Sequence, residues 1–430
     1  MNLLKKIFSP TILAISFLLL IYVFYLDKIF WNERKYYIFK NYYLISYLLI
    51  SCSIITFFVS NKIKEYLIIS ITTIIITLYL FEGYLTFNKI LKKQFYESQS
   101  YLIEKTKLEI YEDKKKINDK VVMSVSPNAY LKKKYPIFPL SGISNSETIH
   151  CNEHGYYSIY QSDRYGFNNP DEQWDKKEIE YLLVGDSFAH GACVNRPNDI
   201  ASVLRNLSGK SVLNLGFGGN GPLIEYATLR EYLNKNVKKI LWIYYPNDPR
   251  NLQNEEKKDI LINYLNNLTF SQNLKLKQKE INNLALKKIK NVKNELITKN
   301  SYIPMILKFI KLIEIRKKFL LREIPPVPKP SSNFKKILSF AKDLAYQNNA
   351  KLYFVYLPEY SRYTTTYDNT NYNLLKEIVN ELKIPFIDVH KKVFEKEQNP
   401  LKLFPSGLAG HYTINGYKKV AETIYKFTKN

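Results

Sequence analysis

The sequence predicts an α/β fold: an open parallel sheet flanked by helices, preceded by three transmembrane helices. Two observations predict this fold class. Three apolar stretches open the chain, and from about residue 179 short apolar runs alternate with helical patterns. Hydrophobic residues make up 46% and charged residues 24% of the 430 residues, which excludes a mainly disordered chain. Three cysteines and five histidines exclude a disulfide framework and a cysteine-rich zinc module, and no metal or cofactor is expected.

The apolar stretches each have the length and composition of a membrane-spanning helix. They cover residues 8–26, 42–60 and 66–85 and contain almost no charge. About 20 apolar residues are what a helix needs to cross the hydrocarbon layer of a bilayer. A cleaved signal peptide is disfavoured for the first stretch, because it is too long and two more stretches follow. We therefore expect residues 1–87 to be a membrane anchor in contact with the lipid bilayer.

Flanking charges bear on which side of the membrane the rest of the chain faces. With a cytoplasmic N-terminus, four Lys or Arg residues flank the stretches on the cytoplasmic side and seven flank them on the other side. Taken alone, the positive-inside rule favours a cytoplasmic C-terminal part. Because lysine is abundant throughout this chain, the count has little weight, and we expect the C-terminal part to be extracytoplasmic on the grounds of the family resemblance given below.

Residues 179–430 are predicted to form the open α/β domain. The expected strands are 179–184, 211–215, 240–245, 351–356 and 385–389, and the expected helices are 199–207, 223–234, 334–347, 374–382 and 415–427. Buried strands that alternate with helices indicate a parallel sheet covered on both faces. Residues 88–178 begin with a polar, irregular pattern, and we expect them to be a tether and lead-in segment.

An insertion over residues 250–332 interrupts this alternation. Residues 271–330 contain 15 Lys or Arg against 4 Asp or Glu, a large part of the net charge of +24. Within 303–321, Lys308, Lys311 and Lys318 share one helical face. We favour a packed amphipathic helix with a solvated lysine face, and the alternative is a helix lying on an anionic membrane surface. No nucleic-acid motif accompanies the charge, so nucleic acid is not an expected partner.

A Gly-Asp-Ser tripeptide follows the first predicted strand directly and ends at Ser187. In an open parallel sheet, ligands bind at the carboxyl ends of the strands. A helix N-terminus at this point would favour developing negative charge. A serine hydroxyl becomes a good nucleophile only when a base removes its proton. Taken alone, the tripeptide is better interpreted as a turn with a capping serine.

Three further sequence blocks favour a catalytic role for Ser187 over the interpretation as a capping residue. A glycine-rich turn over residues 214–222, which contains Gly216 and Gly219, follows the second strand. Such a turn lets backbone N–H groups approach a substrate oxygen closely. Asn247 follows the third strand, and His411 lies just before the last helix. A histidine in that position is free to act as a general base.

These four blocks, in this order, resemble the SGNH (GDSL-type) hydrolase family over roughly residues 179–428, without the insertion. The resemblance implies that Ser187 is the nucleophile and His411 the base. It also implies an oxyanion hole formed by the backbone N–H groups of Ser187 and Gly219 with the Asn247 side chain. Gly216 replaces Gly219 if the glycine block aligns differently. The stretches around Ser187 and Gly219 look like those of membrane-linked bacterial members found with cell-surface glycan synthesis.

Two positions depart from the family pattern. Tyr245 stands where the family usually has a glycine, two residues before Asn247. Leu408 stands where the family usually has an aspartate, three residues before His411, that orients the imidazole. Asp388 is the nearest alternative carboxylate at a strand end, although a structural role fits it better. A backbone carbonyl could also hold the imidazole, because the third member of a triad orients and does not react.

The resemblance implies a membrane-anchored serine esterase or O-acyltransferase that acts on acylated carbohydrate of the cell envelope through an acyl-Ser187 intermediate. It further implies a multi-pass protein of the cytoplasmic (inner) membrane with an extracytoplasmic catalytic domain, alongside other envelope glycan enzymes. The alternative function is a catalytically inactive scaffold or glycan-binding subunit of an envelope polysaccharide assembly. Leu408, Tyr245 and the basic insertion favour that alternative.

The remaining cysteines and histidines leave their roles open. Cys151 and Cys193 would form a disulfide in an oxidising compartment and two ordinary thiols elsewhere, and the sequence does not decide between these states. Cys52 lies in the second apolar stretch, where packing is the expected role. His154 and His190 are expected to have loop or capping roles.

Overall fold

The computed structural model describes residues 2–30, 36–99, 105–233, 236–299, 303–318, 328–364 and 367–429. The chain divides into two compact units. The first, which we call the apolar unit, consists of Met1–Gln99 and Thr298–Pro326. The second, which we call the sheet unit, consists of Ser100–Ile297 and Val327–Asn430.

Helices occur in both units, and strands occur in the sheet unit. In chain order, the helices of the described residues are α1 (Asn2–Phe24), α2 (Tyr36–Ile55), α3 (Asn61–Gln99), α4 (Lys107–Ile117), α5 (Ser187–His190), α6 (Ile200–Ser208), α7 (Pro222–Tyr232), α8 (Asp248–Glu255), α9 (Asp259–Asn266), α10 (Gln278–Lys299), α11 (Ile303–Ile310), α12 (Ile313–Lys318), α13 (Ser332–Gln347), α14 (Thr370–Glu381), α15 (Val389–Lys392) and α16 (Ile414–Thr428). The strands are β1 (Val121–Met123), β2 (Glu147–Ile149), β3 (Ile159–Gln161), β4 (Ile179–Gly185), β5 (Val212–Asn214), β6 (Val237–Tyr244), β7 (Lys351–Tyr356) and β8 (Phe386–Asp388).

The apolar unit corrects the expectation of three membrane-spanning helices. Among the described residues, two helical stretches are long and apolar enough to cross a membrane, Leu3–Ile29 and Asn61–Asn88. The apolar part of α2, Phe39–Ile55, is shorter. Its predicted span over 42–60 is cut short because the chain leaves the helix at Ile55 and turns before α3 begins at Asn61.

The basic stretch over 303–321 also differs from a single helix. Its described part forms α11 and α12, separated by Leu312 with a positive φ of 49°. Both helices pack on α3 within the apolar unit. The buried carboxylate of Glu82 accepts the N–H groups of Glu314 and Ile315 at 2.9 and 2.8 Å, which satisfies the N-terminus of α12. Residues 303–318 therefore pack on α3 as two helices, and 319–321 lie outside the described residues. Contact of this stretch with an anionic membrane surface stays the alternative.

The predicted five-stranded parallel sheet is confirmed. Its strand order is β5-β4-β6-β7-β8, and every neighbouring pair is parallel. The strands carry almost continuous buried residues, as expected for a sheet that is covered on both faces. One buried apolar cluster contains residues of α7 and α13, and a second contains residues of α6 and α16. The carboxyl ends of all five strands share one edge, where the site described below lies.

The segment before β4 is more than a tether. Strands β1, β2 and β3 form a three-stranded sheet in which β1 and β2 are parallel and β3 is antiparallel to β2. Tyr130, Phe138 and Leu140 are at most 1% exposed and belong to the same buried cluster as Leu182 and Trp242 of the parallel sheet. This segment is thus part of the core of the sheet unit, contrary to the expectation from its polar composition.

The first half of the predicted insertion also contributes to that core. Leu252 of α8, Leu261 and Tyr264 of α9, and Ile281 of α10 are fully or almost fully buried in the same cluster. Residues 250–332 therefore do not behave as one appended element. Their first half completes the sheet unit, and residues 303–318 belong to the apolar unit.

Candidate active site

Ser187 lies at the carboxyl end of β4, where the strand turns directly into α5. Gly185 allows this turn, because a Cβ there would lie 2.6 Å from the Ile243 carbonyl oxygen. Asp186 is the N-cap of α5, and its Oδ1 accepts the N–H group of Phe188 at 2.9 Å. The aspartate of the Gly-Asp-Ser tripeptide therefore takes the capping role that the sequence assigned to the serine. Ser187 is left at the first helical position with its hydroxyl available for another contact.

His411 approaches that hydroxyl from the loop before α16. Thr413 caps α16 by accepting the N–H group of Gly416 at 3.1 Å, which fixes where the loop ends. The His411 Nε2 atom lies 2.8 Å from Ser187 Oγ, within hydrogen-bond distance. The Phe188 ring lies beside the imidazole, with the ring centroids 4.8 Å apart. The fold thus brings together two residues that are 224 positions apart in the sequence.

Glu153, from the loop between β2 and β3, holds the other side of the imidazole. Its Oε1 lies 2.9 Å from His411 Nδ1, and its Oε2 accepts the His411 backbone N–H at 2.6 Å. Gly410 permits this approach, because a Cβ there would lie 2.8 Å from Glu153 Oε2. Burial opposes ionisation of Glu153, but the hydrogen bonds and the charge of His411 outweigh it and hold the carboxyl pKa below its usual value.

The carboxylate beside the His411 imidazole is that of Glu153 and not that of Asp388, so the suggestion of Asp388 from the sequence is corrected. The Asp388 carboxylate accepts the Tyr372 hydroxyl at 2.5 Å and the Lys391 backbone N–H at 3.1 Å, and it caps α15. Leu408, at the family's usual aspartate position, is 37% exposed. Glu153 was not predicted from the sequence, because it lies neither three residues before His411, where the family usually has its aspartate, nor at the end of a predicted strand.

Gly216 and Gly219 have different roles in the glycine-rich turn. The N–H group of Gly216 donates to Asn214 Oδ1 at 2.9 Å, and a Cβ on Gly216 would lie 2.5 Å from Ala189 Cβ in α5. Gly216 is therefore a packing residue with an occupied N–H group, which counts against it as the alternative to Gly219 in the oxyanion hole. Gly219 has a positive φ of 77°, and a Cβ there would collide with the side-chain amide of Asn128. That position requires glycine.

Asn247 forms the N-cap position of α8 and is exposed to solvent. Burial raises the pKa of the neighbouring Asp186 to about 6, while hydrogen bonds from the Phe188 backbone and the Asn247 and Ser187 side chains, and the charge of His411, act in the opposite direction. Asn247 therefore lies beside the residue that precedes Ser187. Tyr245, the departure from the family pattern in this block, stacks on Phe188 with the ring centroids 4.0 Å apart.

Buried carboxyl groups lie behind these residues. Glu225, Asp248 and Glu255 are fully buried or nearly so. Burial raises the pKa of Glu255 to about 8, although its carboxyl accepts the N–H groups of Gly221, Leu223 and Ile224 at the start of α7. Burial, and then the nearby carboxyls, raise the pKa of Glu225 and of Asp248 well above the usual values. The Glu255 carboxyl therefore favours its protonated form at neutral pH.

Two other histidines lie close to the site without joining it. The rings of His150 and His190 lie 4.5 Å apart, and His190 also contacts Phe217. Burial lowers the pKa of His190 to about 3 and that of His150 well below its usual value, and neighbouring histidines lower both further. These lowered pKa values favour the neutral form of both rings; His190 is buried and His150 is half-buried beside the site.

Cys151 and Cys193 form a disulfide with a Cα–Cα distance of 4.9 Å, so the question the sequence left open is answered. Glu153, Cys193 and His411 are three side chains whose ligand atoms lie within 4.8 Å of one another. They do not fit a metal site, because the Cys193 sulfur is bonded to Cys151 and the Glu153 and His411 atoms already bond to each other.

No protein-family model and no curated protein matches the sequence. Among solved structures, a protein described as lipolytic and of the G-D-S-L family, from Desulfitobacterium hafniense, is 14% identical, with a TM-score of 0.33 over 58% of this chain and 99% of that one. A lipase/acylhydrolase from Enterococcus faecalis is 13% identical, with a TM-score of 0.32 over 58% and 95% of the two chains. An acetylxylan esterase from Geobacillus stearothermophilus is 12% identical, with a TM-score of 0.30 over 58% and 93%. At these scores the likenesses do not place the chain in a family.

Proposed function

We propose that this protein is a membrane-anchored serine esterase or O-acyltransferase that forms an acyl-Ser187 intermediate. The observation that carries the proposal is the continuous hydrogen-bonded series from Ser187 Oγ to His411 Nε2 at 2.8 Å and from His411 Nδ1 to Glu153 Oε1 at 2.9 Å. A nucleophile next to a base that is itself oriented by a third group is the arrangement that activates a serine hydroxyl.

In the proposed reaction, Ser187 Oγ attacks the acyl carbon while His411 Nε2 takes the hydroxyl proton. Glu153 holds the imidazole in the orientation that presents Nε2 to Ser187 and stabilises the imidazolium that forms. The negative charge that develops on the acyl oxygen is received by the backbone N–H groups of Ser187 and Gly219 and by the Asn247 side chain. His411 then gives its proton to the leaving alcohol oxygen, which breaks the original ester bond.

The second half of the reaction releases the acyl group. Water, or a hydroxyl of an acceptor sugar, attacks acyl-Ser187 while His411 takes its proton. The bond from the acyl carbon to Ser187 Oγ breaks, and Ser187 recovers a proton from His411. Water gives a carboxylic acid and makes the protein an esterase, whereas an acceptor hydroxyl gives a new ester and makes it an acyltransferase.

The substrate class and location are part of the same proposal. The family resemblance of the blocks around Ser187 and Gly219 favours acylated carbohydrate of the cell envelope and a place beside other envelope glycan enzymes. The apolar helices over Leu3–Ile29 and Asn61–Asn88 favour attachment to the bilayer, in the cytoplasmic membrane. The Cys151–Cys193 disulfide favours an extracytoplasmic sheet unit, because such bonds persist in oxidising compartments.

Labelling with a fluorophosphonate tests the nucleophile. The purified full-length chain is expected to be captured covalently, and Ser187→Ala is expected to abolish the capture. The Asp388→Asn variant is a matched control, because that carboxylate bonds to Tyr372 and Lys391 and should leave the capture unchanged. Absence of capture in well-folded protein would contradict the proposal and would favour the catalytically inactive scaffold.

A further inference from the structure

The Cys151–Cys193 disulfide connects the two sides of the candidate site. Cys151 lies two residues before Glu153, in the loop between β2 and β3. Cys193 lies six residues after Ser187, just beyond the Gly191 that ends α5. The bond therefore joins the loop that carries the carboxylate to the turn that follows the nucleophile.

Besides the disulfide, the loop is held by the two bonds from Glu153 to His411 and by a hydrogen bond from the His154 side chain to the Tyr412 backbone. At its base, the backbone of His150, Cys151 and Ser158 forms hydrogen bonds that close the loop on itself. Within it, Gly155 N–H donates to the side chain of Asn152 at 3.0 Å. These last bonds lie within the loop and do not reach His411, so the disulfide is the covalent link that complements the weaker contacts of Glu153 and His154.

The sulfur of Cys193 also lies next to the base. Its Sγ atom is 3.8 Å from His411 Nδ1, the same nitrogen that contacts Glu153. A carboxylate on a loop without this cross-link would sample more positions, and ordering it would cost more conformational entropy in every turnover. With the cross-link, the loop is fixed two residues from the carboxylate.

We infer that the Cys151–Cys193 disulfide is the device that positions Glu153 at His411, so that the oxidised chain is the active form. The inference rests on the proposed function and adds to it a dependence on redox state. Cys151 and Cys193 are positioning residues and do not touch the reacting atoms.

The redox step balances as a thiol–disulfide exchange. When the bond forms, the two cysteine thiols lose two electrons and two protons, and a donor disulfide is reduced to two thiols. Reduction by a phosphine or dithiol reverses the change and frees the loop. The oxidised state is maintained in an oxidising compartment, as on the extracytoplasmic face of the cytoplasmic membrane.

The test compares labelling and turnover of the full-length chain before and after reduction. Reduction with a phosphine is expected to lower both the fluorophosphonate labelling rate and kcat for a small acyl ester by about tenfold or more, with little change in KM. Reoxidation is expected to restore them. The matched control is Cys52→Ser, which removes the free thiol in the apolar unit and should respond to the phosphine as the wild type does.

A double-mutant cycle separates positioning from general support of the fold. The Cys151→Ser/Cys193→Ser variant should show the lower rate with or without phosphine. Adding Glu153→Gln to it should cost much less than the same change costs in the oxidised wild type. Equal costs in both backgrounds, or a reduced chain that labels at the oxidised rate, would overturn the inference.

Two further outcomes distinguish failure of the positioning role from failure of the proposed function. Unfolding of the reduced chain, seen as loss of its near-ultraviolet circular dichroism, would assign the bond to global stability and overturn the positioning role. Failure of the oxidised wild type to label would instead contradict the proposed function itself.

Discussion

The parallel sheet and the three-stranded sheet before it contribute to the candidate site in different ways. The parallel sheet supplies Ser187 and the glycine-rich turn directly at the ends of adjacent strands, where the backbone fixes their positions. The three-stranded sheet supplies Glu153 from a loop that is cross-linked by a disulfide. The comparison teaches that Ser187 is placed by the local turn after a strand, whereas Glu153 stands on a loop that a long-range covalent bond links to the turn after Ser187.

The largest expected effect on turnover comes from removing the base, which lies in the loop before α16. We predict that His411→Ala lowers turnover of a small acyl ester by about 10³-fold or more, because it removes the imidazole that takes the Ser187 Oγ proton in the proposed reaction. Steady-state kinetics of the purified full-length chain check this. Unchanged turnover would show that His411 is not the base, and the comparison of how the two sheets supply the site would then fail.

Asn247→Ala should lower turnover by about 10²–10³-fold if its amide stabilises the developing oxyanion. The loss should be in kcat, since the interaction strengthens in the transition state. The measurement is kcat and KM with the same ester. A loss confined to KM would show that Asn247 binds the ground state and would exclude it from the oxyanion hole.

The two candidate carboxylates give the sharpest test of the comparison. Glu153→Gln is expected to lower kcat by about 10²-fold, because an amide does not stabilise the imidazolium as a carboxylate does. Asp388→Asn should stay within about threefold of the wild type, because the Asp388 carboxylate bonds to Tyr372 and Lys391 and caps α15. The same kinetic assay checks both variants. If the larger loss followed Asp388→Asn, the orienting role would belong to the parallel sheet after all.

The smallest expected effect concerns stability. The folded-state pKa of Glu255, about 8, lies above its ordinary value of 4.5. The stability linked to this proton is therefore fully present below pH 4.5 and is lost as the pH rises through about 8. Glu255→Gln should make the fall in Tm between pH 5 and pH 9 shallower by about 2–5 °C. Differential scanning calorimetry at several pH values measures this, and parallel curves for the two proteins would contradict it.

Local patterns explain which parts of this architecture can be predicted from sequence. Each of the five parallel strands is an apolar run next to a turn, and Ser187 and Asn247 each stand within three residues of the end of such a run. The segment before β4 gives no such signal, because its three-residue strands stand in a polar, irregular sequence without the alternating helical patterns that surround β5 and β8. Its buried aromatic residues, such as Tyr130 and Phe138, contact elements far along the chain.

Glu153 illustrates the same limit. It is remote in sequence from His411, and the only local sign of its role is the neighbouring Cys151. Pairing Cys151 with Cys193, close to Ser187, would have brought Glu153 to the site, but spacing alone did not decide that pairing. Long-range placement of this kind requires the tertiary structure.

Rapid-quench mass spectrometry of the chain during turnover of an acyl ester tests the central claim most directly. The account predicts that the peptide containing Ser187 gains the mass of one acyl group, that the adduct forms and decays at rates consistent with turnover, and that it accumulates when the second step is slowed. Turnover with an unmodified Ser187 peptide, or with the acyl group on another residue, would contradict it.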